Sequence, residues 1–163
     1  MAYYTPIVGV ITNISTMNPQ SGCFLNLTVQ TEGAPGGIVN LIISGSTYVL
    51  NNRQLQVGDR ATFFYNTQAP VPLIYPPQYT VVAAAYTPHG LNAAFDVFNS
   101  MLTNSDNSLI LNMSGRTMLT LSNGQLFNGD LGGKLLLVIY GPTTRSIPAQ
   151  TTPTQIVVFC THS

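Results

Sequence analysis

The chain has 163 residues, of which only 6% are charged, five Lys/Arg against five Asp/Glu, for a formal net charge of zero. Soluble domains carry roughly 25% charged residues; here Thr, Asn, Ser and Gln fill the deficit, with hydrophobic residues at 45%. This balance excludes disorder driven by charge, nucleic-acid binding through a Lys/Arg surplus and Glu/Lys-rich coiled coils.

From the start of the chain, Met1 to Pro6 has no basic stretch leading into an apolar run, so no secretory signal is expected there. The longest apolar runs, residues 81–86 and 135–140, are six residues each. A membrane helix needs about 18, so no membrane insertion is expected. The apolar pattern has period two, which predicts strands over residues 7–14, 23–29, 38–43, 47–50, 61–66 and 79–85. In the second of these, Cys23, Leu25, Leu27 and Val29 share one face. Turn chemistry separates them, as in Pro19-Gln20-Ser21-Gly22, Gly33-Ala34-Pro35-Gly36-Gly37 and Val57-Gly58-Asp59. Only residues 91–101 carry a weak helical pattern.

The second half echoes the first. Leu41, Ser44, Gly45 and Thr47 recur as Leu111, Ser114, Gly115 and Thr117. Asn52, Gln54, Leu55, Gly58 and Asp59 recur as Asn123, Gln125, Leu126, Gly129 and Asp130, and Tyr65 matches Tyr140. Pro72, Pro77, Val81 and Val82 then align with Pro148, Pro153, Val157 and Val158, at a shift of 76. A period of this length fits a small barrel rather than a solenoid repeat. The expected fold is therefore all-β, with two tandem small Greek-key barrels of the OB type arising by internal duplication. A β-sandwich is the alternative. The units would span 1–86, with an N-terminal extension, and 92–163, joined around Thr87-Pro88-His89-Gly90.

The segments Gly9-Val10-Ile11-Thr12-Asn13-Ile14 and Leu55-Gln56-Val57-Gly58-Asp59-Arg60-Ala61 resemble the opening strand and strand entry of OB-like bacterial domains. The Pro-rich segments at residues 70–79 and 140–153 are similar to small OB-like tandem β-barrel proteins of spore-forming anaerobic bacteria. That resemblance implies a barrel fold and a spore or cell-surface setting, and it brings no catalytic residues.

Sites for chemistry are scarce. A Ser-His-Asp arrangement would need His89 or His162 buried and oriented by a carboxylate; His89 with Asp96 is conceivable, but a solvated linker histidine is the favoured reading of His89. Asp59 and Asp130 follow glycine in equivalent turns and read as turn residues bonding their own backbone. Asn104-Ser105-Asp106-Asn107-Ser108 offers oxygen ligands, but lacks the glycine and closing glutamate of a calcium loop and reads as a hairpin turn. No metal, cofactor or enzymatic activity is expected. Tyr and Phe side chains are present, but Arg53, Arg60, Arg116, Lys134 and Arg145 are dispersed, so no basic groove for single strands is expected.

The surface carries the functional expectation. A monomer normally displays mixed charge and protects its sheet edges with lysine; this chain has one lysine, Lys134. Uncharged surfaces pack without desolvating ions, each of which costs several kcal/mol. The chain therefore reads as a self-assembling subunit of an extracellular or spore-surface filament, with itself as partner. Ala2, Tyr3, Tyr4, Thr5, Pro6 and Ile7 are the candidate linking segment, adding as a strand to a neighbour's sheet or else covering their own barrel. Cys23 and Cys160 read as buried free thiols or as cross-links. A carbohydrate-binding OB-like module and a viral capsid or tail protein are the alternative functions.

Overall fold

The computed structural model describes residues 3–33 and 36–160. It is all-β and divides into two compact units between His89 and Gly90. Tyr4–His89 forms the first unit; Tyr3 groups with the residues from Gly90 onward in the second.

Six strands build the first unit: β1 (Tyr4–Thr16), β2 (Phe24–Thr31), β3 (Gly37–Ser44), β4 (Tyr48–Val49), β5 (Arg60–Asn66) and β6 (Gln78–Tyr86). Antiparallel pairing runs β3-β2-β1-β5-β6, and a parallel pairing of β3 with β6, Leu41 opposite Tyr79, closes a five-stranded barrel. This is the Greek-key order expected of an OB-like barrel. Alternation sends Ile11, Leu27, Val29, Leu41, Ala61, Phe63 and Val81 inward. Burying one such side chain contributes about 1.5–3 kcal/mol. Gly9 lets β1 cross β2 closely: a Cβ there would meet the Gln30 carbonyl and lie 2.6 Å from Val29 Cγ1.

The opposite face of β5 and β6 is covered too, because Thr62, Phe64, Ala83 and Ala85 are buried. A strand buried on both faces reads as an unbroken apolar run, which accounts for the composition of residues 81–86. Thr62 and Thr87 satisfy each other there, with their hydroxyls 2.9 Å apart.

The second unit holds β7 (Asn92–Phe98), β8 (Leu109–Leu111), β9 (Met118–Leu121), β10 (Lys134–Tyr140), β11 (Ala149–Thr151) and β12 (Gln155–Phe159). Among the described residues these form a four-stranded sheet, β7-β10-β12-β9, and a parallel pair, β11-β8. The expected second closed barrel is therefore not formed. Residues 92–98 are a strand and not a helix: seven pairs with β10 outweigh the weak helical pattern. Leu136, Val138, Ile156 and Val158 fill the core, while Leu137 and Val157 are buried on the other face.

Pairings recur between the units. Tyr48 faces Ala83 as Met118 faces Gln155, and Asn40 faces Gln78 as Ile110 faces Gln150. Thr47 Oγ1 donates to the Val81 carbonyl and Thr117 Oγ1 to that of Pro153, at 2.9 and 2.7 Å. The closing strands thus correspond at a shift of 72, not the 76 read from the prolines. The recurrence lies in pairing and not in strand count. Where the first unit has β2, the second has a turn-rich connection touching β8 through the bridge Thr103–Ile110.

Candidate assembly surfaces

Of the N-terminal candidates, Ala2 lies outside the described residues. Tyr4, Thr5, Pro6 and Ile7 open β1 and pair with Asn66, Tyr65, Phe64 and Phe63 of β5. Thr5 and Thr67 hydroxyls meet at 2.6 Å, and Ile7 packs on the barrel core. These residues are built into their own barrel and do not form an extension ahead of it. Tyr3 departs from them: half-exposed, it walls a hollow of about 410 Å³ on the second unit together with Val97, Asn104, Ser105 and Gly133.

Several polar atoms around that hollow make local bonds. Asp96, buried on β7, accepts from the Ser105 hydroxyl at 2.7 Å, the Ser105 amide at 3.2 Å and the Val97 amide at 2.7 Å. Asn104 Oδ1 accepts from the Ser108 and Leu109 amides, and Asn99 Oδ1 from those of Met101 and Thr103. The Asn104–Ser108 sequence is thus a turn held by its own side chains. His89 is exposed, and the bonds to Asp96 come from Val97 and Ser105 and hold the loop that follows β7. Among the described residues no three His, Cys, Asp or Glu side chains come together to hold a metal.

Both cysteines are exposed and free, correcting the expectation of buried thiols. β2 begins only at Phe24, after the Pro19–Gly22 turn, so Cys23 sits in a hairpin loop with its thiol directed to the Ser21 carbonyl. Cys160 follows the last strand. The two belong to different units and no bond joins them.

Formal charge is consumed inside the chain. Arg53 clamps Asp59 with two bonds at 3.1 and 3.2 Å and stacks 3.6 Å above the Tyr86 ring. Burial pushes Asp59 upward, but the Arg53 bonds, the Gln56 amide and the Arg53 charge together hold it below the usual carboxylate range. Arg60 bonds Glu32 at 2.5 and 3.0 Å and the Thr87 carbonyl at 2.6 Å. The Arg60 hydrogen bond holds Glu32 low as well.

The loop joining β5 to β6, residues 67–77, falls largely in the Pro-rich segment noted in the sequence, but that pattern did not mark the exposure of its apolar side chains. Prolines at 70, 72, 76 and 77 keep it out of the sheet, so its apolar residues have no face to cover. Leu73 is fully exposed, Tyr75 is 89% exposed, and Val71 and Ile74 are exposed beside them. Ile147, in the corresponding loop of the second unit, is 96% exposed. Tyr75 and Ile147 each precede a cis proline, Pro76 and Pro148, at the same shift of 72. Beneath the first loop, the Tyr65 and Tyr79 rings stack at 4.2 Å beside a hollow of about 210 Å³. Burial and the neighbouring Tyr65 push Tyr79 up from its ordinary value.

No family model, curated protein or solved structure matches the chain.

Proposed function

We propose that this chain is a structural subunit that assembles with copies of itself into a filament. One observation carries the reading: the loop tips project bulky apolar side chains, Leu73, Tyr75 and Ile147, from a chain of which only 6% of the residues are charged. Exposed apolar clusters on a soluble chain mark contact surfaces. Four of the ten formal charges are spent in the Arg53–Asp59 and Arg60–Glu32 pairs. Copies can therefore meet with little ion desolvation, gaining hydrophobic burial and hydroxyl or amide bonds of about 1 kcal/mol each. Two related β units from one duplication fit the recurring pairings. The extracellular or spore-surface setting rests on the resemblance of the Pro-rich segments, and exposed Cys23 and Cys160 are the thiols available for cross-links between copies.

A second reading, a carbohydrate-binding module, has the tyrosine-lined hollow beside Tyr65 and Tyr79 in its favour. Negative-stain microscopy separates the two. The assembly reading expects fibres from purified protein. Closed shells favour a capsid protein, and single particles retained on a polysaccharide column favour the module.

A further inference from the structure

We infer that Tyr65 and Tyr79 form a modification site, where a one-electron oxidant of the peroxidase and hydrogen peroxide class joins the two rings into an intramolecular dityrosine. The inference goes beyond the assembly reading and does not depend on it.

Strand register brings the two rings together. Tyr65 makes the last pair between β5 and β6, opposite Val81. Tyr79 lies two residues before Val81 and packs with it against the same core, so it sits diagonal to Tyr65 on one face. Past that pair β6 keeps its pairing with β3 back to Gln78, while β5 ends at Asn66. No β5 residue pairs with Gln78, Tyr79 or Thr80, and the tyrosine rings bridge the space where the strands part. Their centroids are 4.2 Å apart with 24° between the planes. Aromatic pairs usually lie about 4.5–7 Å apart, most often offset or edge-on.

A face-to-face approach is the one in which two phenoxyl radicals couple, because their unpaired spin resides on the oxygen and on the flanking Cε carbons. Both rings are partly exposed, and a hollow of about 210 Å³ opens beside them. No sulfur-bearing side chain lines that hollow to intercept a radical, and the chain has no tryptophan to be oxidised in their place. In the balanced step each tyrosine gives up one electron and its hydroxyl proton, and hydrogen peroxide takes both electrons and both protons to become two waters. One Cε–Cε bond then forms, and the hydrogens on those two carbons move to the oxygens as the rings regain aromaticity. The product has lost two hydrogen atoms. The new bond covalently closes the loop between β5 and β6, at the base of the segment that carries Leu73 and Tyr75. Closing a loop removes entropy from the unfolded chain, so the cross-linked form melts at a higher temperature.

The test treats dilute Cys23→Ser, Cys160→Ser protein with a peroxidase and hydrogen peroxide. The expected product runs as a monomer, weighs two hydrogens less, shows the blue fluorescence of dityrosine and yields a cross-linked peptide pair holding Tyr65 and Tyr79. Tyr65→Phe should reduce the monomer fluorescence to background, whereas Tyr75→Phe, at an exposed position, should keep it. Fluorescence confined to dimers, a peptide map joining other tyrosines or an unchanged mass overturns the inference. None of these results bears on the assembly reading, which the microscopy decides.

Discussion

Gly9 is the residue on which the barrel's closest strand crossing depends. Any side chain there meets the Gln30 carbonyl and Val29, neither of which is a flexible end that can swing away. Gly9→Val is expected to destabilise the first unit by about 1–3 kcal/mol, the usual cost of overpacking, read as a lower urea midpoint with an unchanged slope. A glycine inside a strand pattern marks a close approach, so this role was open to reading from sequence. The cysteines were a different matter. Alternation ran smoothly from Cys23 to Val29, yet the strand begins at Phe24 because the preceding turn holds residues 18–22 through backbone bonds from Ser21 and Gly22 to Asn18. Pattern alone does not register where a turn releases the chain.

Among the elements, the strands of the first unit and their inward faces were legible because one face is buried and period two exposes it. Residues 92–98 were not: Ala93, Ala94 and Phe95 suit a helix by propensity, and only the partner β10 settles them as a strand. The loop tips were illegible for a related reason, since nothing in a run such as Pro72-Leu73-Ile74-Tyr75 tells whether its apolar residues find a face to cover. Elements also set the response to pH. Glu32, in the β2–β3 loop and paired with Arg60 of β5, and Asp59, paired with Arg53 just ahead of β5, are held below their unfolded values, so their stabilisation is present above about pH 4 and is lost as pH falls further. Tyr48, Tyr79 and Tyr140 are pushed up by burial, so theirs is present at neutral pH and lost as pH rises past about 10. Thermal melts across pH should show a plateau between these limits. Arg60→Ala should remove part of the acid-side fall, as Glu32 returns to an ordinary carboxylate.

At the scale of the whole molecule, near-absence of charge is the property that composition established first and the structure made specific. Two ion pairs and a buried, fully bonded Asp96 leave few charges to face a neighbour. In the proposed assembly, contacts between copies would depend on apolar burial and neutral hydrogen bonds, which salt screening leaves intact. Sedimentation velocity of the wild-type chain over a concentration series, at about 0.05 and about 0.5 M salt, tests this directly. The account predicts large species that grow with concentration and do not shrink at the higher salt. A single 17.5 kDa species at every concentration, or assemblies dissolved by salt, would contradict it.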